Sequence, residues 1–410
     1  MDLLHRYAFE VKEELVSNIL PFYARHMLDK ERGGFYGSIH NDLTLELEAP
    51  KGLVQHGRLL WSYAQAARCL QEEAYLAWAQ QAGAFLMDHL RDREHGGFFW
   101  FVDAAGRPFD TNKITYGQAF ALYGLSEYAL AAGDERSVET AVSLYHLLEK
   151  HTWDPEHGGY LEAFHADWSR NEDINVDKIA GSVAKTMNTH LHMLEAYTNL
   201  LRAWDDDQIR HSLRLLIGMM LDHIIDPHTG HLKLHFSTDW QPLTPDISYG
   251  HDIEASWLLV EAAEVLGDAD LLAKVIPMAL HMAQVTYEEG LAADGSLRYE
   301  NHNPDKIWWA QAEAMVGFMN AYQLSGEPHF LEASVNCWTY VKNEMIDRQN
   351  GEWFWGRTAS GDLVSDEKAG SWKAPYHNGR SCLEIMRRVT ELLKIEDQRV
   401  SSARAPIFDL

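Results

Sequence analysis

The chain is poor in the features that would place it in several broad classes. Only three cysteines occur in 410 residues, Cys69, Cys337 and Cys382, all in predicted helices and without paired spacing. No disulfide framework is expected from them, and a reduced, cytoplasmic setting is. No apolar run reaches the ~18 residues of a membrane span, and the opening MDLLHRYAFEVKEE is charged and helical in pattern rather than a leader. Positive charge is scarce: 35 Lys and Arg against 61 Asp and Glu leave a net charge of −26, which argues against nucleic acid or an anionic membrane as partner. Also missing are HExxH, CxxC and a G-x-G-x-x-G after a strand, so neither a zinc site nor a dinucleotide cofactor is indicated. No Ser/Pro/Gly-rich linker or charge run divides the chain. One domain is expected over residues 1–396, followed by a polar tail, 397–410, that frays.

What is present is a repeat. A turn signature recurs as DKERGGFY around Gly34, DREHGGFF around Gly97, DPEHGGYL around Gly159, DPHTGHLK around Gly230, AADGSLRY around Gly295 and DRQNGEWF around Gly351. Successive glycines lie 63, 62, 71, 65 and 56 residues apart, room for two helices and a hairpin. A fixed period of this kind signals stacked supersecondary units that bury their apolar faces on one another.

Each unit holds two helical patterns. In the last, Phe330, Ala333, Cys337, Val341 and Met345 step by three or four residues and predict an outer helix with one apolar stripe. The segments after the turns, such as GRLLWSYAQAARCL from Gly57 and GQAFALYGLSEYAL from Gly117, are rich in Ala, Leu and aromatics nearly all round and predict inner helices. An open solenoid needs polar capping repeats, and neither end of the chain resembles one. The expected fold is therefore an all-α (α/α)6 barrel, with short β hairpins at the GGF-type turns.

Polar and aromatic residues recur at the start of every inner helix: Arg58, Tyr116, Asn188, His251, Trp309 and His377. Asn188, His192 and Glu195 share one helical face, as do His251, Glu254 and Trp257, and Trp309 and Glu313. Taken singly, each has an ordinary structural explanation: a solvated His, a packing Trp, an Arg bridging two helices through Glu254 or Glu313. Six helices polar at equivalent positions point instead to a common pocket in the lumen. His190 and His192 look like a metal pair, but two residues apart on a helix they diverge by ~200° and cannot share an ion. Tryptophans beside carboxylates, Arg and His suit a sugar, whose apolar face stacks on indole while polar groups fix its hydroxyls.

The strings KTMNTHLHMLEAYTNL, SYGHDIEASWLL, KIWWAQAEAMVGFMNAYQ and SWKAPYHNGRSCLE closely resemble motifs of the cellobiose 2-epimerases, within the wider N-acylglucosamine 2-epimerase superfamily of (α/α)6 barrels. The resemblance runs over essentially the whole chain. It implies epimerisation at carbon 2 of the reducing-end sugar of a β-1,4-linked disaccharide: cellobiose to glucosyl-mannose, lactose to epilactose, mannobiose to mannosyl-glucose. By motif match, Arg58, Tyr116, Asn188, His192, His251, Glu254, Trp257, Trp309, Trp372 and His377 fall on active-site positions.

The chemistry such a reaction requires agrees with those residue types. A base removes the proton on carbon 2 of the open-chain aldose to leave an enediolate, and an acid on the opposite face returns one. Imidazole serves either role near neutral pH. The expected pair is His377 and His192, with His251 and Glu254 opening the ring and Arg58 stabilising charge on the carbonyl oxygen. Tyr116, Asn188, Trp257, Trp309, Glu313 and Trp372 are the expected substrate-binding residues. No metal and no cofactor is called for, and the protein is expected to be a monomer or weak homodimer. An aldose-ketose isomerase or a monosaccharide 2-epimerase on the same scaffold is the nearest alternative. A glycoside hydrolase using Glu254 and Glu313, or a non-catalytic sugar-binding protein, is more remote.

Overall fold

The two kinds of apolar pattern become helices where the periodicity places them. The computed structural model describes the backbone of residues 3–174 and 183–403, and in the last helix side chains as far as Ile395. In chain order the helices are α1 (Leu3–Glu14), α2 (Leu20–His26), α3 (Leu53–Leu70), α4 (Glu73–Phe85), α5 (Thr115–Ala132), α6 (Glu135–His151) and α7 (Met187–Ala203). They continue as α8 (Asp207–Met219), α9 (Tyr249–Leu266), α10 (Ala269–Val285), α11 (Trp308–Ser325), α12 (Pro328–Tyr340) and α13 (His377–Ala403). The odd-numbered helices from α3 onward form the inner ring. Helices α4, α6, α8, α10 and α12 form the outer ring, completed by α1 and α2, which a π-helical turn at Leu15–Ile19 joins into one rod.

Burial follows the composition. In α5 every residue from Thr115 to Glu127 is buried, as a helix enclosed on both sides requires. In α8 only a stripe is: Ile209, Ser212, Leu213, Leu216, Ile217 and Met219. Each fully buried Leu or Ile of such a stripe contributes about 1.5–3 kcal/mol. Inner helices hand over to outer ones through short connections with readable chemistry. Gly133, Gly267 and Gly326 end α5, α9 and α11 in the left-handed conformation, and Asp134, Asp206 and Asp268 cap the starts of α6, α8 and α10.

The repeated turn has two locks. Its first aspartate pairs with a buried lysine just ahead of the next inner helix: Asp29 with Lys51 (2.7 Å), Asp92 with Lys113 (2.6 Å), Asp154 with Lys185 (2.7 Å) and Asp347 with Lys368 (2.5 Å). An inner-helix side chain then accepts the backbone N–H of the apolar residue after the glycine. His56 takes Phe35 (3.2 Å), Gln118 takes Phe98 (2.9 Å), His190 takes Tyr160 (3.0 Å), Asp252 takes Leu232 (2.8 Å) and Gln311 takes Leu297 (2.8 Å). Gly97 shows why the glycine is fixed: its φ is +70°, and a Cβ there would lie 2.6 Å from the Trp168 ring. The hairpins expected at these turns are minimal, each a single antiparallel bridge such as Arg91 to Phe98.

The ring closes between its first and last repeats. Ser38–His40 pairs antiparallel with Glu367–Gly370. Tyr7 Oη meets Ser334 Oγ at 3.0 Å, and Trp353 Nε1 donates to Glu14 Oε1 at 2.9 Å. Helix α13 packs on both α11 and α3. At the C-terminal ends of the inner helices polar side chains tie neighbouring helices together, with Arg68 on Glu127 (2.7 Å), Asn199 on Glu127 (3.1 Å) and Arg388 on Asn320 (2.8 Å). The opposite end is open. Helix α13 reaches Ala403, so residues 397–403 of the expected tail have helical backbone, and 404–410 lie outside the described residues. No helix among the described residues is long and apolar enough to cross a membrane.

Candidate active site

A cavity of about 590 Å³ opens at the N-terminal ends of the inner helices. Of the residues expected there, Arg58, Tyr116, Asn188, His192, His251, Glu254, Trp309, Trp372 and His377 line it. Every inner helix contributes a residue from its first two turns. Trp372, 37% exposed, stands at the mouth against Trp100 and Tyr116 (centroids 5.9 and 6.0 Å).

Trp257 and Glu313 do not line the cavity, contrary to expectation. Both share a helical face with lining residues, but they sit three or four residues further along their helices, about 4.5–6 Å deeper at 1.5 Å rise per residue. Their place is beneath the floor. Trp257 Nε1 donates to Glu313 Oε2 at 3.1 Å, and both residues are buried. The two histidines expected to diverge do so: His190 is held by Thr186 O (2.7 Å) and Tyr160 N, facing the turn, while His192 faces the lumen.

The imidazoles have defined partners. His192 Nδ1 lies 3.0 Å from Glu195 Oε2, and His377 Nδ1 lies 2.7 Å from Glu313 Oε1. Each carboxylate otherwise accepts: Glu195 from Tyr376 Oη (2.7 and 2.5 Å) and Arg380, Glu313 from Arg380 (2.7 Å) and Trp257. With acceptors on that side, both imidazoles carry their proton on Nδ1, which leaves the Nε2 lone pair of each as its base. His251 is half-buried, with Nδ1 2.7 Å from Ser248 Oγ and its ring 4.5 Å from the Trp309 indole. Glu254, expected to support His251, places Oε1 2.6 Å from Arg380 Nη2 and 3.9 Å from His377 Nδ1.

Burial dominates the electrostatics. It lowers the His192 pKa to about 4, against the opposing pull of Glu195, with Arg58 and Arg380 acting in the same sense as burial. His377 is held well below the usual imidazole range by burial, then by Arg58 and Arg380. For Glu195, burial would raise the pKa, but Arg380, His192 and Tyr376 outweigh it and hold the carboxylate at about 2. Burial and the neighbouring Glu313 push Glu254 well above the ordinary carboxyl range. Glu254, Glu313 and His377 offer donor atoms within 4.8 Å of one another, a spacing that could suit a metal ion. The donor set does not fit one, because Arg380 Nη2 already sits on both carboxylates, so the cation of this cluster is built into the chain.

Arg58 anchors the other side. Its Nη2 donates to Tyr116 Oη at 2.8 Å and its Nη1 to Trp372 O, while the guanidinium lies over Phe120 (4.4 Å) and Tyr376 (4.9 Å). Among the described residues, Asn188 Oδ1 and Glu254 Oε2 have no hydrogen-bond partner, the unmet capacity that a polyhydroxyl ligand satisfies. Sequence reasoning missed Tyr376 and Arg380 beneath the floor, and the wall formed by Tyr299, Asn303, Asp305, Trp308 and Trp355. Arg380 carried a signal, since it lies three residues after His377 on the same face. The wall residues carried little, because most come from the loops ahead of α11 and α13.

Comparison with known proteins agrees with this geometry. The family profile of N-acylglucosamine 2-epimerase (GlcNAc 2-epimerase) matches residues 33–380. A cellobiose 2-epimerase of Bacteroides fragilis is 44% identical over 92% of this chain and 98% of its own. One from Ruminococcus albus is 38% identical over 93% of this chain and 99% of its own. The solved structure of the cellobiose 2-epimerase of Bacillus thermoamylovorans superimposes with a TM-score of 0.91 at 40% identity, covering 94% of this chain and all of that one.

Proposed function

The chain belongs to the N-acylglucosamine 2-epimerase family, and from that premise we propose that it is a disaccharide 2-epimerase that inverts carbon 2 of the reducing-end sugar of β-1,4-linked disaccharides such as cellobiose, lactose and mannobiose. The observation that carries this reading is the convergence of three imidazoles and an arginine on one cavity, two of the imidazoles backed by carboxylates.

The bound pyranose opens to the aldehyde, and Arg58 faces the carbonyl oxygen as a fixed cation where negative charge develops. His377 accepts the proton on carbon 2 at Nε2, and the imidazolium that forms is stabilised through Nδ1–H to Glu313. The enediolate rotates, and an imidazole on the opposite face, made imidazolium by the anomeric hydroxyl proton that its Nε2 took up as the ring opened, returns a proton to carbon 2. Helices α7 and α13 stand opposite in the ring, which supports His192 as the second group and leaves His251 to ring opening. One observation favours a second reading, in which His251 supplies that proton and His192 serves the ring oxygen: burial holds His192 at about 4, whereas His251 is half-buried and beside a hydroxyl.

A hydrolytic reading fits poorly. Glu313 lies outside the cavity, and it shares one guanidinium nitrogen with Glu254, so the pair does not flank a bound glycosidic bond.

Reaction of cellobiose in heavy water, followed by NMR, tests the proposal. The expected product carries one deuterium at carbon 2 of a new mannose end. A ketose labelled at carbon 1 would make the protein an isomerase, released monosaccharides a hydrolase, and an inverted but unlabelled carbon 2 at early turnover would exclude exchange through two groups. Repeated with His192→Ala and His251→Ala, the assay separates the two readings of the pair: the variant that still exchanges the carbon 2 hydrogen without inverting the centre has lost the second acid.

A further inference from the structure

One buried guanidinium joins the two carboxylates that stand behind His192 and His377. Arg380 is 2% exposed. Its Nη1 donates to Glu195 and to Tyr376 Oη (2.5 Å), and its Nη2 to Glu254 Oε1 (2.6 Å) and Glu313 Oε1 (2.7 Å). The fork is sandwiched between the Trp257 and Tyr376 rings, 4.8 and 4.3 Å from its centre. Glu195 comes from α7, Glu254 from α9 and Glu313 from α11, so a single side chain of α13 spans half of the inner ring.

We propose that Arg380 is a positioning residue for the reaction: by holding Glu195 and Glu313 as acceptors, it makes both His192 and His377 donate from Nδ1 and present Nε2 to the substrate. This rests on the epimerase reading above. Burial raises Glu254 and Glu313 above the ordinary carboxyl range, with Arg380 opposing the rise, and without that cation Glu195, Glu254 and Glu313 would take up protons more readily or separate. A protonated Glu313 or Glu195 could donate to Nδ1 and flip the imidazole to the tautomer with no lone pair facing the lumen. Lysine supplies the charge but not the planar fork, so it cannot bond to Glu195 on one side and to the Glu254–Glu313 pair on the other. Charge and geometry are therefore separable by substitution. The groups facing His377 are Glu313, Glu254, His251, Arg58, His192, Tyr376 and Arg380 itself. Those facing His192 are Glu195, Arg58, Arg380, His377, Tyr116 and Tyr376.

The test compares wild type, Arg380→Lys and Arg380→Gln for kcat, KM and the pH profile of kcat/KM on cellobiose, with circular dichroism and melting to establish folding. For both variants kcat should fall by about 100-fold or more while KM stays within about threefold, the signature of misplaced catalytic groups rather than lost binding. In Arg380→Gln the acid limb should also move up by about one pH unit, because a cation that opposed imidazolium is gone, and in Arg380→Lys it should stay. Should either variant fail to fold, Glu195→Gln and Glu313→Gln, which remove one arm each, should give the same loss of kcat without a change in KM. A kcat within about threefold of wild type in a folded Arg380→Lys or in either Glu variant, less than one misplaced group costs, overturns the proposal while leaving the epimerase reading standing. A wild type that does not epimerise overturns both.

Discussion

The two histidines that lock turns should make the fold sensitive to mild acid. His56 and His190 each accept a backbone N–H at Nε2 and bond a helix carbonyl at Nδ1, an arrangement available only to neutral imidazole. Burial lowers their pKa from 6.5 to about 3 and about 4. The folded state therefore refuses protons that the unfolded chain takes up below pH 6.5. Stability from each group is complete above that pH and falls as pH drops toward the folded value. At pH 5 the loss is ~1.36 kcal/mol for each of 1.5 pH units, or about 2 kcal/mol per histidine and about 4 for the pair. With ~2.1 cal/mol/K of unfolding entropy per residue over 410 residues, that is about 5 °C in Tm. The barrel itself supplies the control, because Gln118 and Gln311 make the same bond in the second and fifth repeats. A His56→Gln, His190→Gln double variant should melt close to wild type at pH 7.5 and lose about 5 °C less on transfer to pH 5, carboxylate effects being common to both proteins. Differential scanning at the two pH values measures this. Parallel loss of Tm in the two proteins would refute the reasoning.

Three further outcomes are expected. His377→Ala should reduce turnover by at least about 10²-fold, the usual worth of a general acid or base, with the circular dichroism spectrum unchanged; turnover above about a tenth of wild type would remove it from the reaction. Trp372→Ala should raise KM or lower kcat for disaccharides, because the indole stands at the cavity mouth, and unchanged kinetics would return it to a packing role. Activity should survive exhaustive dialysis against EDTA, since Arg380 fills the place between Glu254 and Glu313; activity restored only by a divalent ion would contradict that reading.

The barrel was legible because its punctuation is stereochemical. Glycines at positive φ and the aspartates ahead of them recur wherever the chain must turn into an inner helix, and residues buried on all sides, as in α5, lose their polar face. The rim of the site was legible for a related reason, since every inner helix places a polar or aromatic residue of its first two turns in the cavity. Depth was not legible. Helical spacing shows that Trp257 shares a face with Glu254, and Glu313 with Trp309, but it does not say where along the barrel axis the floor lies. Arg380 was hidden similarly, its partners arriving from three other helices at separations of 67 to 185 residues. Tyr299, Asn303 and Asp305 belong to a loop without periodicity, where only the folded path brings them to the cavity.

Closure of the ring also sets when this protein becomes competent during its synthesis. Arg58 belongs to the first repeat and donates to the carbonyl of Trp372 in the last, and His377 opens the final helix. A nascent chain with five repeats emerged has most of its buried surface but lacks the last wall of the cavity and the partner strand for Ser38–His40. Joining segments more than 300 residues apart is the most entropically demanding step and has to wait until the last repeat has been synthesised. Until then the partly formed ring leaves the edges of α3 and α11 uncovered, surfaces on which another nascent chain could dock. Appearance of activity on a ribosome-released chain would therefore time the closing of the ring rather than the folding of any single repeat.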